Sequence, residues 1–177
     1  NAHAQNTKSY VFSPLLFPII CRDLKSGPDK STSRWITKSL QKSGLLNLDG
    51  ICDQTRLLLF PMCLEHKDHW FLGVIDVATS EAFVVNPFHT AKSNAVEMKI
   101  IKDLVGLLQS FKKPLSLHRF KCTFPETNAY PLTQQMDGYN CGVYVCLYIL
   151  HFAFDEFVEP VVCPNKLRIW MVYWMIK

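Results

Sequence analysis

Pro131 to Cys146 reads PLTQQMDGYNCGVYVC, a polar, turn-prone segment that becomes apolar at a single cysteine. Asp137-Gly138 is a strong turn signal, and Asn140 is a good N-cap residue directly before the apolar run Gly142 to Leu150. A buried helix is predicted to begin here and run to about Asp155, with Cys141 in its first turn. The unpaired backbone N–H groups and the positive dipole end of such a turn favour an anion. A thiolate is an anion, so the sequence puts Cys141 where a thiol is reactive.

Around that stretch, 177 residues with 49% hydrophobic and 19% charged side chains make one globular domain, residues 1–177, long enough to bury a core. A net charge of +4 lacks the dense basic stripe of a nucleic-acid binder. Seven cysteines (21, 52, 63, 122, 141, 146 and 163) form no CxxC pair. Their odd number argues against a disulfide framework and for reduced thiols inside the cell, in nucleus or cytoplasm. His66 and His69 have a metal-like spacing, but on a turn with no second pair nearby, so no metal or cofactor is expected. The apolar segment Tyr10 to Cys21 is broken by Ser13, Pro14 and Pro18, too short to span a bilayer and without the flanks of a signal peptide. The chain begins with Asn1 and not Met, as a fragment or processed product does.

Upstream, residues 1–9 read as a loose polar start, Ser13-Pro14 as the opening of a short helix, and Lys25 to Ser33 as a loop. Trp35, Ile36 and Leu40 have helical spacing. Leu57 to Leu64, His69 to Val77 and Ala82 to Val85 are rich in apolar, aromatic and β-branched residues and joined by short turns. They predict a three-stranded antiparallel meander, ended by Asn86-Pro87. Ser93 to Phe111 predicts a helix with Val96, Ile100, Ile101, Leu104, Leu107 and Leu108 on one face. Leu117 to Phe124 is a short strand. Leu167 to Ile176, with Trp170, Tyr173 and Trp174, is a final helix expected to pack against the core. The class is α+β.

A cysteine nucleophile needs a base, a group that orients the base, and donors for the oxyanion. His69 opens the middle strand and Asn86 closes the next, so a tight antiparallel connection makes them neighbours on one rim. Asn can fix the imidazole tautomer. Gln135, six residues before Cys141, can turn its amide toward the reacting carbonyl oxygen, with the Cys141 backbone N–H as second donor.

These residues carry a resemblance. TQQMDGYNCGVYVC resembles the Gln-x5-Cys-Gly element of the ubiquitin-like-protein-specific cysteine proteases, the SUMO and NEDD8 deconjugating enzymes related to adenovirus protease. HWFLGVIDV resembles the His-Trp strand of that family, and RWITKSL followed by LLLFPMCLEHKDHW resembles the segment leading into it. The seventeen residues from His69 to Asn86 and the six from Gln135 to Cys141 match the family spacing. The resemblance spans roughly Phe12 to Asp155. It implies a papain-like cysteine proteinase fold, a small mixed or antiparallel sheet packed by helices, with the nucleophile at the start of a central helix. It further implies Cys141 as nucleophile, His69 as general base and acid, Asn86 as its orienting partner, Gln135 as oxyanion donor, and Trp70 over a narrow tunnel for a di-glycine tail. Only glycine backbones fit a slot that admits no Cβ.

The expected partners are a ubiquitin-like modifier (SUMO, NEDD8 or ubiquitin) and its conjugates, met by a monomer without nucleic acid or membrane. Two departures stand out. Asn86 occupies a position that is usually Asp, and the Trp-Leu-x-Asp element of the family either lies upstream of Asn1 or is missing. Taken singly, a cysteine at a helix start is more often a small buried hydrophobe, and Trp70 would pass for core. Four roles in order at two matching spacings favour a protease site. An acyltransferase on the same fold, or a module that binds a ubiquitin-like protein without cleaving it, are the alternatives. Cys146, on the same helix and facing away, reads as core.

Overall fold

The computed structural model describes residues 8–15, 55–64, 68–88, 95–110, 121–123, 132, 134–154 and 163–176. Among them are five strands, β1 (Lys8–Val11), β2 (Thr55–Leu64), β3 (His69–Asp76), β4 (Glu81–Val85) and β5 (Lys121–Thr123). Three helices accompany them, α1 (Ala95–Ser110), α2 (Cys141–Phe154) and α3 (Pro164–Ile176). The strands form one mixed sheet in the order β1-β2-β3-β4-β5. The central three make the antiparallel meander, while β1 runs parallel to β2 and β5 parallel to β4. The architecture is α+β with a papain-like arrangement, as the sequence implies.

β3 is buried on both faces, and this explains its nearly continuous apolar run. On one face Leu72 and Val74 join Leu57, Leu59, Phe83 and Val85 against Tyr144, Val145, Tyr148 and Phe152 of α2. Burial of such a side chain contributes about 1.5–3 kcal/mol. On the other face α1 comes so close that a Cβ on Gly73 would collide with Ile101 and Met62. Replacing Gly73 with valine is therefore expected to destabilise the fold by about 1–3 kcal/mol, read from the denaturant midpoint. Pro61 lies in β2 past its last partner in β1, where among the described residues no other strand pairs on that side and a missing N–H is tolerated.

The far end of β3 is secured separately. Asp76 Oδ1 accepts from the N–H groups of Ala78 (2.9 Å) and Thr79 (3.2 Å), and its Oδ2 accepts from Arg56 at 3.2 Å. Asp76, the one acid on β3, is thus committed to the β3–β4 turn, seven residues from His69.

Several expectations need correction. Residues 8 and 9 are not loose but open β1, and Ser9 Oγ donates to Phe152 O at 3.2 Å, satisfying a carbonyl at the end of α2. Residues 14–15 form a turn, and the short helix expected to follow lies outside the described residues. α1 buries Met98, Ile101, Leu104, Val105 and Leu108, so its inner face is rotated from the expected one and Val96 is exposed. On α3, Leu167 is buried and Met171 packs beside it, but Ile169, Trp170, Val172 and Tyr173 are exposed. The helix packs against the core as expected, but through Leu167 and Met171, while Trp170 and Tyr173 lie on its exposed side. The helix expected around Trp35 to Leu40 lies outside the described residues.

Candidate active site

His69 is the first residue of β3, entered through Asp68, whose φ of 46° makes the sharp turn into the strand. Continuing the β3–β4 register beyond Leu72↔Val85 sets Asn86 opposite Phe71, diagonally across from His69 on the same face. The two side chains meet: His69 Nε2 and Asn86 Oδ1 are 2.8 Å apart.

The tautomer follows from a second contact. Asn86 Oδ1 also accepts from the backbone N–H of Phe88 at 2.9 Å, so this atom must be the amide oxygen and not the nitrogen. An oxygen facing Nε2 requires the proton on Nε2. That leaves the Nδ1 lone pair as the basic site of the ring. Asn86 is 8% exposed, and the Phe88 ring lies 5.6 Å from the imidazole, which limits the positions the ring can take.

Cys141 is the first residue of α2 and is buried. Its Sγ donates to the carbonyl oxygen of Asp68, the residue before His69, at 3.8 Å across 73 positions of sequence. Trp70 packs its indole against the next helix residue: a Cβ on Gly142 would stand 3.5 Å from Trp70 Cδ1, ordinary contact distance. The start of β3 and the start of α2 are therefore one place, with Cys141, His69, Trp70 and Asn86 gathered there. Cys146 is partly buried on the same helix, and burial pushes its thiol up, in keeping with a core role.

Gln135 is buried nearby, but its amide does not take the expected direction. Its Nε2 donates to Asp137 O at 2.6 Å and to Asp137 Oδ1 at 3.0 Å. Its Oε1 is buried without a hydrogen-bond partner among the described residues. The physical reason is local: two residues on, Asp137 offers a carbonyl and a carboxylate within reach of one amide.

Asp137, read from sequence only as half of a turn signal, is the hub of this loop. It accepts from the backbone N–H groups of Tyr139 (3.1 Å) and Asn140 (2.9 Å) and from Asn140 Nδ2 (2.7 Å). The Asn140 side chain above all holds its carboxyl down at about 2. A depressed carboxyl contributes stability above its unfolded value and loses it as pH falls through the folded one. The stability gap between wild type and Asp137→Asn is accordingly expected to persist at neutral pH, narrow below about pH 4 and close near pH 2, as followed by acid unfolding.

Cys163, exposed at the start of α3, is a second thiol to reckon with. Backbone N–H groups of Lys166 and Asn165 hold its thiol below the usual value, so alkylation of Cys141 is best measured in a Cys163→Ser background.

Residues 2–168 match the family model described as Ulp1 protease family, C-terminal catalytic domain. No curated protein sequence is matched by the chain. Among solved structures, the chain is similar to the SUMO protease Ulp1 with its catalytic cysteine oxidised to a sulfinic acid. The TM-score is 0.61 at 19% identity, over 92% of this chain and 64% of that one. It is also similar to the C-terminal Ulp1 protease domain in complex with Smt3, the yeast orthologue of SUMO, with a TM-score of 0.57 at 19% identity over 88% and 61%. A third is a de-sumoylating protease, TM-score 0.54 at 14% identity over 86% and 54%. At these identities the likeness is one of fold, and the chain spans less than two thirds of the length of each.

Proposed function

The chain belongs to the Ulp1 protease family of cysteine-type peptidases, and from that premise we propose that it hydrolyses the bond after the Gly-Gly C-terminus of a ubiquitin-like modifier, SUMO first among them, in precursors or in conjugates. The observation that carries this reading is the oriented imidazole: His69 held through Nε2 by an Asn86 oxygen that Phe88 N–H fixes, at the turn that meets Cys141. In the proposed reaction Nδ1 of His69 takes the Cys141 proton and the thiolate attacks the glycine carbonyl carbon. The oxyanion is held by the Cys141 backbone N–H and by Gln135 once its amide leaves Asp137. His69 then protonates the leaving amine, and water, deprotonated by the same imidazole, hydrolyses the thioester. Trp70, lying on Gly142, forms a wall of the slot for the two glycines.

A neutral Asn86 cannot offset charge on the imidazole as a carboxylate would, but it performs the orienting part of the role. The proposal covers residues 1–177 as one catalytic domain acting as an intracellular monomer, nuclear or cytoplasmic. A complex with Smt3 is the property of the Ulp1 domain and supports SUMO as the first modifier to try.

The test is incubation of the Cys163→Ser chain with SUMO, NEDD8 and ubiquitin that carry a C-terminal electrophile, alongside Cys141→Ala in that background. A covalent adduct with SUMO that disappears in Cys141→Ala is the expected result. An adduct with NEDD8 or ubiquitin alone would replace the substrate. No adduct with any of them would overturn the reading.

A further inference from the structure

Asn140 precedes α2 at the position from which a side-chain oxygen normally accepts the second or third N–H of the helix, here Gly142 or Val143. It does not do so. Asn140 Oδ1 instead accepts from Arg168 Nη2 of α3 at 2.7 Å, and Asn140 Nδ2 donates to Asp137 Oδ2 at 2.7 Å. With 3% exposure this amide is buried between a cation and a carboxylate, and turning it over would set like charge against like. Only the backbone carbonyl of Asn140 serves the helix, accepting from Val143 N (2.9 Å) and Tyr144 N (3.1 Å). The N–H groups of Cys141 and Gly142 have no acceptor within the helix, since the first amides of any helix lack one. Of these two, Gly142 is the one that a cap oxygen reaches, and Asn140 leaves it uncapped.

We propose that Arg168 is a positioning residue that holds the Asn140 oxygen away from the start of α2, so that the amides beside Cys141 stay open to the anion formed there. The inference deepens the reaction proposed above and rests on it for its rate measurement alone. In chemical terms, a helix start can satisfy its amides with its own cap or offer them to a reacting group, not both. A cap stabilises the helix, while an open end stabilises negative charge on the thiolate or on the tetrahedral intermediate. Arg168 selects the second. It does so from 28 residues away in sequence, by supplying a stronger, charge-assisted donor to the oxygen that would otherwise close the end. The same contact keeps Asn140 Nδ2 on Asp137, which in turn binds the Gln135 amide.

The experiment uses the full chain with Arg168→Leu. Freed of the guanidinium, Asn140 Oδ1 is expected to swing onto the helix, so amide hydrogen exchange at Gly142 or Val143, followed by NMR, becomes slower. The melting temperature should stay level or rise. On whichever modifier the wild type cleaves, kcat should fall about tenfold with KM within about twofold, below the hundredfold or more that loss of a whole oxyanion donor costs. Arg168→Lys keeps a donor and should restore most of kcat. Adding Asn140→Ala to Arg168→Leu removes the oxygen that swings in and should recover part of the rate while lowering stability. A merely structural arginine predicts the reverse: exchange faster, melting temperature and kcat lowered together, and the double variant worse than the single. Either that pattern or unchanged exchange overturns the inference. If the wild type cleaves nothing, the reaction proposal fails on its own and the exchange measurement still decides this one.

Discussion

Turnover of the His69→Ala variant is expected to be lower than wild type by about 10⁴-fold or more, with KM little changed. The size follows from the place of the imidazole at each proton transfer of the proposed reaction. Without it Cys141 must ionise unaided, the leaving amine departs unprotonated, and the thioester waits for a water with no base. The fold should survive, because His69 is only half-buried at the rim and the core of β3 begins at Phe71. Single-turnover cleavage of a modifier bearing a fluorogenic C-terminal amide, with a melting curve on the same sample, checks this. A loss smaller than tenfold in a folded variant would remove His69 from the role of base.

The second large effect concerns Asn86. Asn86→Leu is expected to lower kcat by about 10²–10⁴-fold, approaching the loss seen when a triad histidine is left in the wrong tautomer. A leucine of similar volume leaves His69 Nε2 and the Phe88 N–H without their shared acceptor. The imidazole can then carry its proton on Nδ1 and present no lone pair to the thiol. A buried donor left unmet also costs about 1–3 kcal/mol of stability. Asn86→Asp is the informative contrast. Its carboxylate accepts from the same two N–H groups, so the orientation is kept and the imidazolium gains a counter-charge; kcat should hold or increase. Equal losses in the leucine and aspartate variants would mean that Asn86 acts only in packing.

The parts of this fold legible in the sequence are those whose signal is local. β2, β3 and β4 announce themselves by apolar runs between short turns, and α2 by the change from polar to apolar at Cys141. The meeting of His69 and Asn86 follows because a tight hairpin admits few registers. The contact of Cys141 with Asp68, just before β3, spans 73 residues, and only the family resemblance points to it. β1 was missed because Lys8 and Ser9 look like a tail, and its pairing is with a strand more than forty residues away. Arg168 gave no signal at all, since one hydrogen bond across 28 residues leaves no periodicity to read. Gln135 lies buried six residues before Cys141, yet its amide direction depends on Asp137, a competition between acceptors that spacing does not reveal. Which face of α3 meets the core is not legible, because a Trp- and Tyr-rich helix looks apolar all round.

The separation of the two halves of the site along the chain has a consequence for synthesis. His69, the proposed base, and Asn86, which holds its ring, sit on a hairpin of neighbouring strands, whose contacts close early because little loop entropy opposes them. The thiol arrives 55 residues after Asn86. At 5–20 residues per second the ribosome needs about 3–11 s to deliver it. During that interval the nascent chain is expected to hold an aligned imidazole with nothing to deprotonate. Docking of α2 onto the meander becomes the step that switches chemistry on, a timing that electrophile labelling of length-arrested nascent chains would register as reactivity appearing only once the whole of α2 has left the exit tunnel.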